Sequence, residues 1–307
     1  GVLITATDVL RFVPHEQIYS HVLPGLVIGI ATPIVIQGLL PIFESIFNIT
    51  TDITLLELSD LNRPLLRELA IRAPGTYTHS LIMANLSEAA AQRINASPLL
   101  ARVGCYYHDI GKMLKPEYFT ENQGLRSGRN PHDNLTPSMS ALIIDSHVKD
   151  GVYLAEENGL PQALIDLIPQ HHGTTVLETF YNRAIELGAE NVRRDDFRYD
   201  GPKPQTKEAG ILMLADSIES AARTLSERTP SRVRQLVRRI VQQKFSAGEL
   251  DECPLTLRDL HGIEDAFIPV LMGTLHGRVE YPWQKEAGRK ERRGGGPIAS
   301  ALPGRTS

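Results

Sequence analysis

The residues with the clearest chemical potential are His108 and Asp109, which begin the run His108-Asp-Ile-Gly-Lys112. They follow an apolar segment with helical spacing, and Gly111 is typical of a helix end. An adjacent imidazole and carboxylate at a helix end can face one metal ion or straddle two, because a carboxylate has two ligating oxygens. Lys112 follows on the same turn, and we expect its ammonium group to contact a phosphate oxygen; the alternative is a solvated surface lysine.

Two further candidate ligands lie on apolar stripes of predicted helices. His79 shares a stripe with Met83 and Leu86, although a single inward histidine is more often a core residue than a ligand. Asp216 shares a stripe with its apolar neighbours, and an inward carboxylate is costly unless it is paired or bound to a metal. The alternative for Asp216 is a buried salt bridge, for example with Arg223.

Three more histidines complete the set of candidate ligands. His147 lies on an apolar helical stripe, and His171 and His172 precede Gly173 at a predicted helix end. His132 and Asp133 fall in a loop and are not counted as ligands.

This donor set narrows the chemistry. Mixed imidazole and carboxylate ligands suit iron, manganese or zinc, and are too rich in nitrogen for magnesium or calcium alone. One metal would take His79, His108, Asp109 and Asp216, and with Asp109 as a bridge a second would take the three remaining histidines. Two metals about 4 Å apart can generate a bridging hydroxide and clamp a phosphate, which is the arrangement for phosphodiester hydrolysis. The chain contains no GxSxG, P-loop or HExxH motif.

The elements that must position these residues are helices. Apolar residues recur at helical spacing in eight segments, and no convincing alternating strand occurs, so we predict an all-α domain over residues 76–283. The predicted helices are 76–94, 98–110, 137–157, 161–170, 175–187, 205–225, 230–246 and 256–277. Pro74-Gly75 is interpreted as a stop before the first of them.

The segment before this domain predicts membrane insertion. Residues 17–43 contain no Asp, Glu, Lys or Arg, and a helix over 21–43 is long enough to cross a bilayer. The alternative is a buried core segment kinked by its prolines. We interpret residues 1–20 as an extramembrane loop fragment, 44–75 as a connector of short amphipathic helices interrupted at Pro64, and 284–307 as a disordered tail. The chain does not begin with Met, and we interpret it as a fragment.

Composition limits the classes of partner. The net charge is −4, without the basic stripe of a polymer binder, so we expect no DNA or RNA polymer as a partner. Cys105 and Cys253 are far apart, which suggests neither a disulfide framework nor a zinc ribbon. A homo-oligomer is compatible with the sequence, which leaves the oligomeric state open.

The order of these residues resembles a known family. His79, His108-Asp109 and Asp216 are arranged as in the HD superfamily of metal-dependent phosphohydrolases. A longer set of motifs, from about residue 20 to Trp283, is similar to the PgpH-type seven-transmembrane receptors, which carry an intracellular HD domain. The motifs are Pro74-Gly-Thr-Tyr-Thr-His79-Ser, Tyr106-Tyr-His-Asp-Ile-Gly-Lys-Met113, Asn130-Pro-His-Asp-Asn-Leu, His147-Val-Lys-Asp-Gly, Gln170-His-His-Gly-Thr-Thr and Ala215-Asp216-Ser.

The resemblance implies a helical HD domain on the cytoplasmic side of a bacterial cell membrane, with residues 21–43 as the last membrane helix. It implies two divalent metals, most often iron or manganese, in the two ligand sets given above. It implies hydrolysis of cyclic di-AMP to pApA. We predict catalytic roles for Asp109 and Lys112. The Arg- and Asp-rich stretch 191–199 departs from the family pattern in what is often a variable loop, so it casts no doubt on the site. We assign Tyr106, Tyr107, Tyr118 and Phe119 to core packing rather than to adenine stacking.

Other functions stay open from the residues alone. An HD hydrolase could act on cyclic di-GMP, a linear dinucleotide or a guanosine polyphosphate, although the GYP motif of the cyclic di-GMP branch is absent. A nucleotide sensor that binds without cutting is the non-enzymatic alternative, and a membrane scaffold is a further one. All seven candidate ligands are present, which favours an enzyme.

Overall fold

A computed structural model describes residues 15–47, 49–123 and 130–275. Residues 1–14 of the predicted 1–20 loop fragment and the 284–307 tail lie outside the described residues, whereas the prediction is wrong for residues 15–20, which are helical. The predicted all-α fold is confirmed, since the described residues contain no strand and only one isolated bridge, between Val176 and Arg198. The α-helices are α1 His15–Phe47, α2 Asp52–Leu58, α3 Pro64–Arg72, α4 Pro74–Arg93, α5 Pro98–Tyr107, α6 Thr120–Gln123, α7 Pro137–Glu157, α8 Gln162–Ile165, α9 Leu167–Gln170, α10 Glu178–Glu186, α11 Lys207–Arg223, α12 Pro230–Ser246 and α13 Leu257–Leu275. Short 3-10 turns occur at Ile110–Leu114, Pro116–Tyr118, Pro131–Asn134 and Arg194–Phe197.

Helix α1 is long and apolar enough to cross a membrane. Its span Val22–Glu44 has a mean hydropathy of 2.2, and none of that span is buried against the rest of the protein. Leu23, Ile28 and Ile34 are among its exposed apolar side chains. The alternative of a buried core segment is therefore wrong.

Glu44 joins the end of α1 to the next helix. Its carboxylate accepts hydrogen bonds from the backbone N–H of Thr51 at 3.0 Å and from the hydroxyl of Thr54 at 2.9 Å. Thr51 is the N-cap of α2, so one side chain links the two helices across a short connection.

The connector helices belong to the main core. Leu55 and Leu58 of α2 and Leu66 of α3 are buried in the same cluster as the central helices, and Tyr107 Oη donates to the carbonyl of Leu58 at 2.9 Å. Pro64 begins α3, where its missing N–H costs no helical hydrogen bond. Pro74 likewise begins α4: α3 ends at Arg72, so the predicted break before the domain lies at Ala73, and Pro74-Gly75 form the first turn of the next helix.

Helix α4 is the centre of the bundle and packs against α3, α5, α11 and α13. Its apolar stripe includes the fully buried Met83 and Leu86, which lie in one core with Leu212 and Met213 of α11. Two predicted helices differ from the structure in their continuity. The predicted 98–110 helix ends at Tyr107, and the predicted 161–170 helix is two short helices, α8 and α9.

Candidate metal centre

His79 is a buried residue of α4 whose ring is held by a second carboxylate. Its Nδ1 lies 2.6 Å from Oε2 of Glu219 on α11, and the other oxygen of Glu219 accepts a hydrogen bond from Nε of Arg223 at 2.7 Å. A carboxylate that holds one ring nitrogen fixes the tautomer and leaves Nε2 to face the site.

His108 and Asp109 lie where α5 gives way to a 3-10 turn. His108 caps α5, and Asp109 directly precedes Ile110–Leu114. This turn approaches α7 so closely that a Cβ on Gly111 would lie 1.9 Å from the carbonyl oxygen of His147 and 2.5 Å from the amide nitrogen of Gly151. Gly111 is therefore required for close packing of two backbones, which differs from the helix-end role predicted from the sequence.

The pair His171 and His172 follows α9 in a turn that Glu249 holds from across the fold. Gly173 has a φ of 57°, which favours glycine, and next to it the carboxylate of Glu249 accepts hydrogen bonds from Thr174 N at 2.9 Å and Thr174 Oγ1 at 3.0 Å. The turn brings the His172 ring next to His147 of α7, with the two Nε2 atoms 3.2 Å apart.

Three of the histidine rings are oriented in the same way. Nδ1 of His108, His147 and His171 each contacts the backbone carbonyl three residues earlier, on Cys105, Ile144 and Ile168. A donated Nδ1–H leaves the lone pair on Nε2, which is the nitrogen that faces the cluster.

The oxygens of Asp109 face two groups of donors. Oδ2 lies 3.1 Å from His108 Nε2 and 3.9 Å from His79 Nε2, whereas Oδ1 lies 3.3 Å from His147 Nε2 and 3.7 Å from His171 Nε2. The ligand atoms form two sets in which every pair is within 4.8 Å: one holds His79, His108 and Asp109, and the other holds Asp109, His147, His171 and His172. Asp109 belongs to both sets.

Asp216 lies at the edge of both sets. Its Oδ1 is 3.2 Å from His79 Nε2, and its Oδ2 is 3.9 Å from His172 Nδ1. The alternative of an Asp216–Arg223 ion pair is wrong, because Arg223 pairs with Glu219 instead. All seven sequence-predicted ligands thus lie around one buried point.

The charges of the cluster support metal binding. Burial opposes the ionisation of Asp109, but the charges of His108 and Lys112 hold the pKa of its carboxyl well below its usual range. Burial lowers the pKa of His171 to about 3, so this ring is neutral and can offer a lone pair. Burial also opposes the charge of His79, yet the neighbouring carboxylates of Asp216 and Glu219 raise the pKa of His79 to about 9.

These donors fit a divalent cation. Nε2 of His79, His108 and His171 is buried and makes no hydrogen bond with any described residue. An unsatisfied buried acceptor costs about 1–3 kcal/mol, and several of them converging on one carboxylate form a set that a cation would satisfy. No thiolate takes part: Cys105 is buried, and its pKa is raised to about 12 by that burial.

Lys112 lies beside the cluster with its side chain only 12% exposed, so the alternative of a solvated surface lysine is wrong. Its Nζ lies 2.6 Å from Asp109 Oδ2 and 3.0 Å from Glu121 Oε1. Glu121 also accepts from the hydroxyl of Thr76 at 3.2 Å, which ties α6 to the first turn of α4. The contact of Lys112 with a phosphate stays a prediction.

Several residues of the site were missed from the sequence. Glu219 lies three residues after Asp216, a spacing that puts both on one helix face, and that spacing could have identified it. Tyr199 stacks on His172, with ring centroids 4.1 Å apart and an interplanar angle of 15°. The stretch 191–199, which had no predicted role in the site, therefore contributes its last residue to it. Phe119 packs edge-on against His147 at 5.5 Å, whereas Tyr106 and Tyr107 are buried in the core.

His132 is buried without joining the cluster. Its Nε2 contacts the carbonyl of Tyr118 at 2.9 Å, and its ring packs against Tyr118 and Phe180. It therefore secures the loop that precedes α7.

Comparisons with known proteins identify a family and related proteins. The family model described as HD domain matches residues 76–221. The chain is 47% identical to the cyclic-di-AMP phosphodiesterase PgpH of Listeria monocytogenes over 81% of this chain and 34% of that protein, and 46% identical to the Bacillus subtilis protein of the same name over 87% of this chain and 37% of that protein. The chain thus spans about a third of the length of these curated relatives.

Solved structures extend the likeness to the fold. The crystal structure of the HD domain of L. monocytogenes PgpH has a TM-score of 0.66 and 48% identity, covering 70% of this chain and 100% of that one. A second crystal structure, of that domain in complex with cyclic-di-AMP, has the same TM-score, 46% identity, and coverage of 71% and 100%. The chain belongs to the HD-domain family.

Proposed function

We propose that this chain is a metal-dependent phosphodiesterase that hydrolyses cyclic di-AMP to the linear dinucleotide pApA. The observation that carries the proposal is the position of Asp109, whose two oxygens face two separate groups of imidazole donors. A shared carboxylate is the arrangement that holds two cations close together, and paired cations suit phosphodiester hydrolysis. The names of the relatives from L. monocytogenes and B. subtilis support the choice of cyclic di-AMP.

The ligand sets of the proposal follow the two groups of donors. His79, His108, Asp109 and Asp216 would hold one divalent ion, and Asp109, His147, His171 and His172 the other. Iron or manganese is the proposed metal, because the set is rich in imidazole and lacks thiolates. When bound, such ions supply an activated water and neutralise charge on the phosphate oxygens.

The protein groups prepare the site for that chemistry. The carbonyls that hold Nδ1 of His108, His147 and His171 fix each ring before a ligand arrives, so little reorganisation is needed. Lys112 lies against Asp109 and can donate to a phosphate oxygen at the edge of the cluster, which would stabilise negative charge that develops there. Phe119 and Tyr199 pack on His147 and His172 and restrict their movement.

We further propose that residues 21–43 cross a bacterial cell membrane and hold the HD domain, residues 76–283, on its cytoplasmic side. The exposed apolar surface of α1 supports insertion, because a helix with such a surface is poorly compatible with water. Residues 44–75 would couple movements of the membrane helix to the catalytic domain, since Glu44 accepts hydrogen bonds from the start of α2. The whole receptor would carry further membrane helices before this chain, as in the PgpH-type receptors.

The test is product analysis with the detergent-solubilised chain. The chain is incubated with cyclic di-AMP and, separately, with cyclic di-GMP, in Mn²⁺ or in ferrous iron under reducing conditions, and products are separated by chromatography. We expect pApA from cyclic di-AMP in the presence of metal and none after chelation. Asp109→Ala should abolish turnover, and Asp133→Ala is a matched control outside the cluster. Preferential cleavage of another nucleotide would reassign the substrate, and binding without cleavage by the metal-loaded chain would identify a sensor.

A further inference from the structure

A cleft of about 260 Å³ opens beside the candidate metal centre. It is lined by His79, by Lys112, Thr120 and Glu121, and by Ser220, Arg223 and Thr224 at the end of α11. The one carboxylate among these lining residues, Glu121, is paired with Lys112 at 3.0 Å. The cleft therefore extends from the cluster to Arg223, which is not one of the proposed metal ligands.

The side chain of Arg223 is oriented and partly free. Its Nε donates to Glu219 Oε1 at 2.7 Å, while neither terminal nitrogen makes a hydrogen bond with any residue that the structure describes. The side chain is 38% exposed. A guanidinium held at Nε by a buried carboxylate presents its two terminal N–H₂ groups as a preformed fork, which matches the oxygens of a phosphate.

The other cleft next to the cluster has the opposite character. It measures about 330 Å³ and is lined in part by Tyr199, and its charged lining includes Asp145, Glu156 and Asp200. Its one lysine, Lys149, is paired with Asp200 at 2.9 Å. Surplus carboxylates repel a phosphodiester, so the Arg223 cleft is the better place for a second anionic group.

We propose that Arg223 binds the second phosphodiester of the cyclic dinucleotide, the one that is not being cleaved, while the first lies at the metal centre next to Lys112. This inference rests on the proposed function, because a cyclic dinucleotide carries two phosphodiesters and only one can lie at the metals. Arg223 then determines specificity for substrates with two phosphates over those with one.

The test compares two substrates in the metal-loaded full chain. Cyclic di-AMP has two phosphodiesters, and bis(p-nitrophenyl) phosphate has one. We expect Arg223→Gln to raise KM for cyclic di-AMP roughly 10- to 100-fold, the effect of losing a charge-assisted hydrogen bond, with a smaller change in kcat. Hydrolysis of bis(p-nitrophenyl) phosphate and the metal content should stay near wild type. Arg223→Lys keeps the positive charge but not the forked guanidinium group. Its KM for cyclic di-AMP should lie between those of wild type and Arg223→Gln.

The outcomes separate this inference from the proposed function. An exposed arginine of α12 outside the cleft provides the control Arg234→Gln, which should match wild type. An unchanged KM in Arg223→Gln would overturn the inference. Loss of bound metal together with an equal fall in the hydrolysis of both substrates would also overturn it. Arg223 would then act only by holding Glu219, which in turn holds His79. A wild-type chain that cleaves no cyclic dinucleotide refutes the proposed function itself.

Discussion

The close approach of Gly111 to α7 gives a sharp prediction. In Gly111→Ala, the added Cβ would lie 1.9 Å from His147 O and 2.5 Å from Gly151 N, and both of these atoms are backbone. The 3-10 turn must therefore retreat from α7 by about 1 Å or more. Because Asp109 is carried by this turn and lies 3.3 Å from His147 Nε2, the retreat should separate the two donor groups.

The magnitude follows from that displacement. Overpacking of this kind costs about 1–3 kcal/mol, which corresponds to a fall in Tm of roughly 2–12 °C for a domain of this size. A displacement of about 1 Å in a catalytic group lowers activity roughly 100-fold. The measurements are thermal unfolding by circular dichroism, metal content by elemental analysis, and turnover of cyclic di-AMP.

Two other glycines provide a graded series. A Cβ on Gly273 of α13 meets nothing within 4 Å, so Gly273→Ala should be neutral or stabilise by up to about 1 kcal/mol. A Cβ on Gly151 would lie 3.1 Å from Ile168 Cγ2, a side-chain atom that can yield, so Gly151→Ala should fall between the two. A Gly111→Ala protein with wild-type Tm, metal content and activity would refute the reasoning.

Further predictions concern Glu219, His79 and the two cysteines. Glu219→Gln removes the charge that faces His79 Nδ1 and should lower metal affinity about 10- to 100-fold, as measured by competition with a chelator. The folded pKa of His79 is about 9 against 6.5 unfolded, so its contribution to the stability of the metal-free protein is full below about pH 6.5 and is lost as the pH rises to about 9. Metal uptake displaces that proton, so affinity should rise over the same window, and calorimetry in buffers of different ionisation enthalpy measures the proton release. Burial raises the pKa of Cys105 to about 12 and of Cys253 to about 11, so neither thiol should react with a disulfide reagent until the protein is unfolded.

Much of the helical framework could be predicted because its signals are local. Helices α7 and α12 occupy the predicted ranges 137–157 and 230–246. Each begins with a threonine N-cap followed by proline: Thr136 accepts from Met139 N, and Thr229 accepts from Arg232 N. Such a start can be identified in the sequence because both residues act within the first turn.

Contacts between distant segments could not be predicted. Glu219 reaches His79 across 140 residues, and Tyr199 reaches His172 from a loop that had no predicted role in the site. Gly111 was assigned to a helix end, yet the close approach of α7 is what requires it. Local spacing gives the direction of a side chain on its own helix, whereas these contacts depend on how separate helices pack.

The central claim is that Asp109 is shared by two metal sites. The most direct test is the metal-to-protein ratio of the purified, reconstituted chain in wild type, Asp109→Ala and His172→Ala. We predict two ions per chain in wild type, none retained in Asp109→Ala, and one in His172→Ala, because His172 belongs to only one of the two donor sets. An Asp109→Ala protein that keeps two tightly bound ions would contradict the account.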